Sequence, residues 1–284
     1  MEEARPSHTA LRVAMRRAAH QLVDVPKVLD DPIALKILDP GTRERLHGGE
    51  GTGDDRLSRS MRAVMAARSR FAEDELARAV GRGTTQYVIL GAGLDTFAYR
   101  NPHAADTLRV FEVDYPATQE WKRRQLAAAE IAIPSSVTFA PVDFERQTLA
   151  DGLRDAGFDQ RKPTFFSWLG VTMYLTEETI AATLGFVAST PRGGGIVFDY
   201  AVPRESLGLV GRMALDALAR RVEQSGEPFR TFFDPGALIE KLKQMGFHAV
   251  ESLGSDEINA RYFKNRADGL RVAGSLGRLM SAQL

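Results

Sequence analysis

A glycine-rich turn directly after a predicted buried strand is the first place where this sequence offers chemistry. The strand spans residues 86–90, and Gly91 and Gly93 follow it. A second predicted strand, residues 108–113, ends at Asp114, about 20 residues beyond the turn. Glycine lets a ligand approach the backbone closely, and the acid can accept hydrogen bonds from both ribose hydroxyls. This pairing is typical of a nucleotide-cofactor site on a doubly wound sheet.

The turn lacks the third glycine of a dinucleotide-binding fingerprint. That fingerprint needs a glycine three residues after the second one, where this chain has Thr96, with Asp95 just before it. A pyrophosphate would lie beside the Asp95 carboxylate, whereas a cofactor with a ribose and a cationic sulfonium tolerates that charge. The turn therefore predicts S-adenosylmethionine (SAM) rather than NAD, with Gly91, Gly93, Asp95 and Asp114 as cofactor-binding residues. An NAD(P)-dependent oxidoreductase on the same sheet is the less favoured alternative.

The third predicted strand, residues 137–140, leads to Asp143 and Phe144. Ligands of open α/β sheets bind at the carboxyl ends of the strands. We therefore expect Asp143 to accept a hydrogen bond from the adenine amino group, and Phe144 to offer its backbone amide to the ring. The alternative for Asp143 is an N-cap of the following helix.

The fourth and fifth predicted strands, residues 164–169 and 195–200, end at residues that face the same edge of the sheet. Leu169 is a candidate for cofactor binding. Tyr174 and Asp199 are the catalytic candidates, because strand topology brings them near the point of methyl transfer. Packing is the alternative role for Tyr174, and capping of the following loop is the alternative for Asp199. A carboxylate acceptor needs no base, whereas a hydroxyl acceptor benefits from one.

The helix predicted over residues 56–80 carries an arginine within its apolar stripe. The stripe consists of Leu57, Met61, Val64, Phe71 and Ala72. Arg68 falls in its middle and Glu75 lies further along. Because a guanidinium directed into an apolar groove needs an anionic partner, we expect Arg68 to pair with the methionine carboxylate of the cofactor. A snorkelling side chain or a structural ion pair is the alternative.

The segment before this helix is predicted to be mostly helical. Apolar residues recur at helical spacing over residues 7–23, an Asp-Pro pair begins a short helix over residues 33–38, and the glycine-rich residues 39–55 form a loop. His8 and His20 are expected at the surface, with a contact to the pocket as the alternative. The arginines of the first helix are expected on its solvated face: Arg12, Arg16 and Arg17.

From residue 86 onward, strands alternate with helices, which predicts a mostly parallel sheet covered on both faces. The predicted strands are 86–90, 108–113, 137–140, 164–169, 195–200 and 247–252. The predicted helices are 116–130, 145–156, 176–189, 204–224 and 235–245. We therefore predict a doubly wound, Rossmann-like α/β domain over residues 81–284, with a helical insert at about 204–233. Residues 1–80 would form an N-terminal helical cap.

The composition excludes several classes of function. The 284 residues include 37 basic and 37 acidic ones, so the net charge of zero argues against a nucleic-acid partner. The absence of cysteine excludes disulfides and thiolate chemistry, and no His pair has a zinc-like spacing. No apolar run approaches the roughly 20 residues that span a bilayer. We expect a cytoplasmic monomer or homodimer that binds no metal and no membrane.

Short motifs along nearly the whole chain resemble one known family. They are Asp31-Pro32 and residues 67–71, 90–96, 111–116, 142–144, 170–175, 232–235 and 261–263. The sequence is similar to class I SAM-dependent methyltransferases of the leucine carboxyl methyltransferase type, in particular the bacterial O-methyltransferases of secondary metabolism. The resemblance implies SAM binding by Arg68, Gly91, Asp114 and the Asp143–Phe144 pair. It also implies methyl transfer to a small-molecule acceptor.

One position departs from the family pattern. Leucine carboxyl methyltransferases have a Glu near the end of the fourth strand, where residues 167–170 of this chain read Ser-Trp-Leu-Gly. In the family that Glu contacts the cofactor, so its absence argues against methylation of a peptide-terminal leucine carboxylate. It also leaves a non-catalytic SAM-binding protein as an alternative. The acceptor wall is expected from three aromatic residues of the insert: Phe229, Phe232 and Phe233.

Overall fold

The structure, a computed structural model, describes residues 8–143, 146–223 and 228–284. Its helices are α1 (His8–Val23), α2 (Pro40–His47), α3 (Arg56–Gly81), α4 (Pro116–Ala128), α5 (Leu149–Asp155), α6 (Glu177–Ala188), α7 (Leu209–Glu223), α8 (Pro235–Gln244) and α9 (Ser255–Tyr262). Its strands are β1 (Gln86–Leu90), β2 (Arg109–Asp114), β3 (Val137–Pro141), β4 (Thr164–Trp168), β5 (Gly195–Ala201), β6 (His248–Leu253) and β7 (Gly277–Gln283). Across these three ranges, each helix is too short or too polar to cross a membrane.

The strands form one sheet with the order β3-β2-β1-β4-β5-β7-β6. β2 pairs with β3 in parallel, and β4 pairs with β5 in parallel. β7 is antiparallel to both of its neighbours, β5 and β6. Because the strand order runs outward from β1 in both directions, the sheet is doubly wound, and the fold-class prediction is confirmed.

The chain forms two compact units. The first contains the described parts of residues 1–70, 88–158 and 259–272. The second contains the described parts of residues 71–87, 159–258 and 273–284. The division into a cap of residues 1–80 and a sheet domain of residues 81–284 stays a prediction.

Small residues of α1 pack at the centre of the first unit. Ala14, Ala18 and Ala19 are almost completely buried. They join a cluster with Ala34, Ile37, Leu38, Leu46, Leu94 and Leu126. Since alanine permits close approach of two backbones, α1 packs tightly against the segment that follows β1, around Leu94.

Large apolar residues fill the core of the second unit. β4 and β5 are buried along their whole lengths. Phe166 of β4 packs edge-to-face against Phe186 of α6, with 6.2 Å between the ring centroids. Strands buried on both faces read as continuous apolar runs, which is why these two strands were predictable from sequence.

Two Asp-Pro pairs near the N-terminus behave differently. The helix predicted over residues 33–38 is wrong, because these residues form turns in which Ile37 N–H bonds to Ile33 O but no continuous helical ladder develops. The loop predicted over residues 39–55 contains α2 instead. There Asp39 caps the helix by accepting the backbone N–H of Thr42 at 2.9 Å, and Pro40 occupies the first helical position.

Two C-terminal elements, α9 and β7, were not predicted. β7 has no alternation of apolar and polar residues, because it lies between β5 and β6 and is covered on both faces. Leu279, Met280, Ser281 and Ala282 are all buried.

The six predicted strands are confirmed to within one residue at each end. The helix predicted over residues 204–224 begins at Leu209, after a single 3-10 turn at Arg204–Ser206.

Replacement of Gly194 by Ala is expected to destabilise the fold. A Cβ atom at this position would lie 1.9 Å from the Thr164 carbonyl oxygen, so the backbone would have to move. We expect a loss of about 3 kcal/mol in the free energy of unfolding in urea. The matched control is Gly185→Ala in α6, where a Cβ meets nothing within 4 Å. That change should stabilise the helix by about 0.5–1 kcal/mol, and equal effects of the two variants would contradict the packing described here.

Candidate functional site

The turn after β1 has a backbone that requires glycine. Gly91 has φ +67° and Gly93 has φ +44°, both in the left-handed region. The turn is fixed to β2 by the Ala92 N–H, which donates to the Val113 carbonyl at 3.0 Å. A Cβ at Gly93 would lie 3.0 Å from the Cβ of Ala10 in α1. The N-terminal helix therefore passes directly over the turn.

The Asp114 carboxyl group is held by two backbone donors at the end of β2. Its Oδ2 accepts the Gly93 N–H at 2.6 Å, and its Oδ1 accepts the Tyr115 N–H at 2.7 Å. A carboxylate oxygen accepts about two hydrogen bonds, so each oxygen retains capacity for one more. Two adjacent acceptors of this kind match two vicinal hydroxyls. Burial raises the pKa of Asp114 above its ordinary value, and the two N–H donors offset that effect only in part.

Asp95 has partners within the protein. Its Oδ1 accepts the Phe97 N–H at 2.8 Å, and its Oδ2 lies 3.5 Å from Nη1 of Arg17. Burial acts to raise the pKa of Asp95, but the positive charges of Arg17 and Lys122 outweigh it and the pKa is lowered. Since Arg17 balances the charge of this carboxylate, Asp95 repels an anion less than an unpaired carboxylate would. Its role in cofactor binding stays a prediction.

Two residues of α1 are not where the sequence analysis expected them. Arg17 is only 4% exposed, so its placement on a solvated face is wrong. It shares a helix face with Ala10 and Ala14 at i, i+4 and i+7 spacing, and that spacing was the available signal. His20 is fully buried rather than exposed, with Nδ1 2.9 Å from Asp24 Oδ2 and Nε2 accepting the Val28 N–H. His20 is thus a structural residue.

A buried polar cluster lies beside the turn and was missed by the sequence analysis. Glu112 of β2 lies 2.8 Å from Lys122 Nζ of α4, and its other oxygen accepts the Tyr99 hydroxyl at 3.0 Å. Burial raises the pKa of Glu112, although the positive charge of Lys122 acts in the opposite direction. Burial also raises the pKa of Tyr99. Gln119 Nε2 donates to the carbonyls of Glu112 and Ala140 on adjacent strands. The cluster fixes α4 and the segment after the turn against β2.

Arg68 is buried, at 6% exposure, in the middle of α3. The apolar stripe around it begins later than expected, because Leu57 is 61% exposed whereas Phe71 is fully buried. Glu75, the anionic residue on the same stripe, hydrogen-bonds to Ser281 and pairs with Arg78. The role of Arg68 toward the cofactor stays a prediction.

Asp143 follows β3, as expected, and its side chain is about one-fifth exposed, with Oδ2 3.5 Å from Arg146 Nε. It does not cap the next helix, because α5 begins later and Thr148 accepts the Asp151 N–H at its N-terminus. Phe144 lies outside the described residues. Binding of adenine by Asp143 and Phe144 stays a prediction.

In the second unit, Asp199 fixes the turn after β4. Its Oδ1 accepts the Gly170 N–H at 2.6 Å, and its carbonyl accepts the Thr172 hydroxyl at 2.5 Å. Gly170 has φ +76°, and Leu169, half-buried, connects it to the strand. These contacts cap the turn after β4 rather than the loop after β5, and the catalytic role of Asp199 stays a prediction. They leave the carboxyl at the carboxyl end of β5, where the sequence placed it.

Tyr174 stacks on Phe229, with 5.6 Å between the ring centroids and 30° between the planes. Phe232 meets Phe229 edge-to-face at 6.2 Å. The aromatic segment is fastened by main-chain contacts, since the Arg230 N–H donates to the Met173 carbonyl at 2.8 Å. Phe229 and Phe232 thus pack with Tyr174 within the second unit, and an acceptor wall formed by the aromatic residues of the insert stays a prediction.

The comparison with known proteins decides the family. Residues 10–188 match the family model described as leucine carboxyl methyltransferase. The chain belongs to this family. It is 33% identical over 291 residues to the Bacillus subtilis protein named "Putative S-adenosyl-L-methionine-dependent methyltransferase YktD", covering 95% of both chains. A Saccharopolyspora erythraea protein with the same general name is 30% identical over 281 residues, covering 97% of this chain and 94% of the relative.

A solved structure supports the fold of this family member. The crystal structure of a DUF574 family protein from Streptomyces avermitilis superimposes with a TM-score of 0.56 at 15% identity. The match covers 98% of this chain and 97% of that one. At this identity the likeness concerns the fold alone.

The turn of this leucine carboxyl methyltransferase family member fits a SAM-type cofactor. Gly91 is exposed and in the left-handed conformation, so its backbone is open to a ligand. Asp114 presents two hydrogen-bond acceptors beside it, oriented by Gly93 and Tyr115. Acceptors for hydroxyls and an open backbone are what a ribose and an amino-acid portion require.

Asp114 should give SAM binding a distinctive pH dependence. The ionised carboxyl accepts two hydroxyls better than the neutral form, and burial raises its pKa. Affinity should therefore fall as the pH drops through this raised pKa, at a higher pH than for an ordinary aspartate. Calorimetric titration with SAM from neutral to mildly acidic pH measures this. Asp114→Asn should bind more weakly with a flatter pH profile, and a variant that keeps the wild-type slope would contradict the assignment.

Proposed function

We propose that this protein transfers the methyl group of SAM to an oxygen atom, carboxyl or hydroxyl, of a small molecule of secondary metabolism. That it is a SAM-dependent methyltransferase follows from its family and from the two relatives that it covers almost completely. The observation that carries the cofactor assignment is the Asp114 carboxyl, fixed by Gly93 and Tyr115 beside the glycine turn.

On the cofactor side, we assign each residue the role that its chemistry permits. Asp114 would accept the ribose hydroxyls, and the backbone at Gly91 and Gly93 would support the methionine portion. Arg68, buried and cationic, would pair with the methionine carboxylate. The remaining cofactor candidates are Asp95, Asp143, Phe144 and Leu169. The cofactor supplies a methyl group already activated on a sulfonium.

On the acceptor side, the residues have to align an oxygen atom and exclude water. Tyr174 would orient the acceptor from its stacked position on Phe229. The Asp199 carboxyl would take the proton of a hydroxyl acceptor, and it is only 8% exposed. A carboxylate acceptor would need neither proton transfer nor Asp199.

The absence of an acid at the end of β4 favours a small-molecule acceptor over a peptide terminus. The leucine carboxyl methyltransferase pattern has a Glu there, and this chain has Ser167, Trp168 and Leu169. Ser167 bonds to the Tyr87 hydroxyl at 2.7 Å and is buried, so it does not replace that Glu. The same absence supports a second candidate, a SAM-binding protein without methyl transfer.

A labelling experiment tests the proposed function. Purified protein and methyl-tritiated SAM are incubated with a panel of small phenols, alcohols and carboxylic acids, and with the same molecules lacking the oxygen function. We expect label in the oxygen-bearing compounds only. Mild alkali then releases label from a methyl ester but not from a methyl ether, which separates the two acceptor classes. SAM binding without transfer to any compound of the panel would favour the non-catalytic candidate, and label on nitrogen or carbon would contradict O-methylation.

Asp199→Asn tests the role of the base with a hydroxyl acceptor. An Asn oxygen can still accept the Gly170 N–H, so the turn should persist while the proton acceptor is lost. We expect kcat to fall about a hundredfold, with an unchanged Kd for SAM. The control is Thr172→Val, which removes another bond of the same turn and should lower kcat much less. Equal losses in the two variants would assign Asp199 a structural role only.

A further inference from the structure

We propose that Arg17 and Asp31 are positioning residues. They set the affinity for SAM by fixing the turn after β1, here called the cofactor turn, against helix α1. The inference rests on the proposed cofactor site, since it concerns the segment that begins at Gly91. Neither residue belongs to the candidate cofactor-binding set. From the sequence alone, Arg17 was expected on a solvated helix face, and Asp31 was expected at the start of a short helix.

Arg17 reaches from α1 to the end of the turn. Its Nη2 donates to the Leu94 carbonyl at 2.6 Å, and its Nη1 lies 3.5 Å from Asp95 Oδ2. Its Nε lies 3.2 Å from Asp31 Oδ2, at ion-pair distance but without hydrogen-bond alignment. One guanidinium thus contacts a carbonyl and two carboxyl groups from different parts of the chain.

Asp31 connects the same segment to a second part of the chain. Its Oδ2 accepts the Thr96 hydroxyl at 2.5 Å, and its Oδ1 lies 3.2 Å from Arg100 Nε. The Oδ1 also accepts the backbone N–H groups of Ile33 and Ala34, at 3.2 and 3.0 Å. The chain from Leu94 to Arg100 is therefore held at its beginning, middle and end.

Burial separates this role from direct ligand contact. Asp31 and Thr96 are 0% exposed, and Arg17 is 4% exposed. Side chains this deeply buried act on a ligand by holding the residues that contact it. The turn also contains two left-handed glycines, so its backbone has few intrinsic restraints, and the restraint has to come from packing and polar contacts. The bonds of Ala92 to Val113 and of Gly93 to Asp114 supply part of it, and the Arg17–Asp31 pair supplies the rest from the Leu94 end of the turn.

The first unit contains a matched pair for comparison. Arg62 Nε lies 3.1 Å from Asp24 Oδ2, and both side chains are 5% exposed or less. Arg62 also donates to the Gly53 carbonyl at 2.7 Å, and Asp24 bonds to His20. The described contacts of this pair involve α1, α3 and the loop before α3, and none of them involves the cofactor turn. Loss of the Arg62–Asp24 pair should therefore lower the stability of the fold without a specific effect on the affinity for SAM.

The test compares Asp31→Asn and Thr96→Val with the control Asp24→Asn. Loss of a charge from either buried pair should lower the urea midpoint to a similar extent. For Asp31→Asn we expect the Kd for SAM, measured by calorimetry, to rise about tenfold or more, with a smaller rise for Thr96→Val. For Asp24→Asn it should stay within about twofold of the wild type. At saturating SAM, kcat should be close to the wild-type value in all three variants.

Two results would overturn the inference. One is an unchanged Kd for SAM in folded Asp31→Asn and Thr96→Val, and the other is an equal rise in Asp24→Asn. If Asp31→Asn does not fold, Thr96→Val decides, because it removes only the hydroxyl that donates to Asp31. A wild-type protein that binds no SAM would instead contradict the proposed function, so the two failures are distinguishable.

Discussion

The hydrogen bond from the Gly93 N–H to the Asp114 carboxyl joins the turn after β1 to the end of β2. It forms because two left-handed glycines bend the backbone so that an amide points toward the neighbouring strand. The same contact orients the Asp114 carboxyl group at that strand end. The open backbone at Gly91 and the close approach of α1 depend on this geometry, and so does the proposed recognition of a ribose.

Buried charged groups then fix what surrounds the turn. Arg17 and Asp31 connect α1 to the segment from Leu94 to Arg100, and Glu112 with Lys122 connects α4 to β2. Burial of such groups is costly unless they are paired, so each pair constrains its elements to one arrangement. In the second unit, Asp199 performs a comparable task for the turn after β4. Polar contacts at strand ends thus position the candidate residues, while apolar packing builds the sheet.

The predictable parts of the molecule are those with local signals. The central strands and α3 follow from their apolar runs and periodicity, and the turn with Asp114 follows from glycine spacing. Arg17 and His20 were misplaced because their partners, Asp31 with Asp95 and the Val28 amide, depend on the tertiary fold. β7 was missed because a short strand covered on both faces needs no alternation. The Asp-Pro pairs at 31–32 and 39–40 gave different structures, because the Asp31 carboxyl also accepts the Thr96 hydroxyl and lies at ion-pair distance from Arg100.

The most direct test of the cofactor site is a crystal structure of the protein with S-adenosylhomocysteine, the product of methyl transfer. We predict that its two ribose hydroxyls donate to the two oxygens of Asp114, while the Gly93 and Tyr115 amides keep their bonds to the same carboxyl. The amino-acid portion should lie along the backbone at Gly91. A ligand bound elsewhere, or a ribose that leaves Asp114 without contact, would contradict the account.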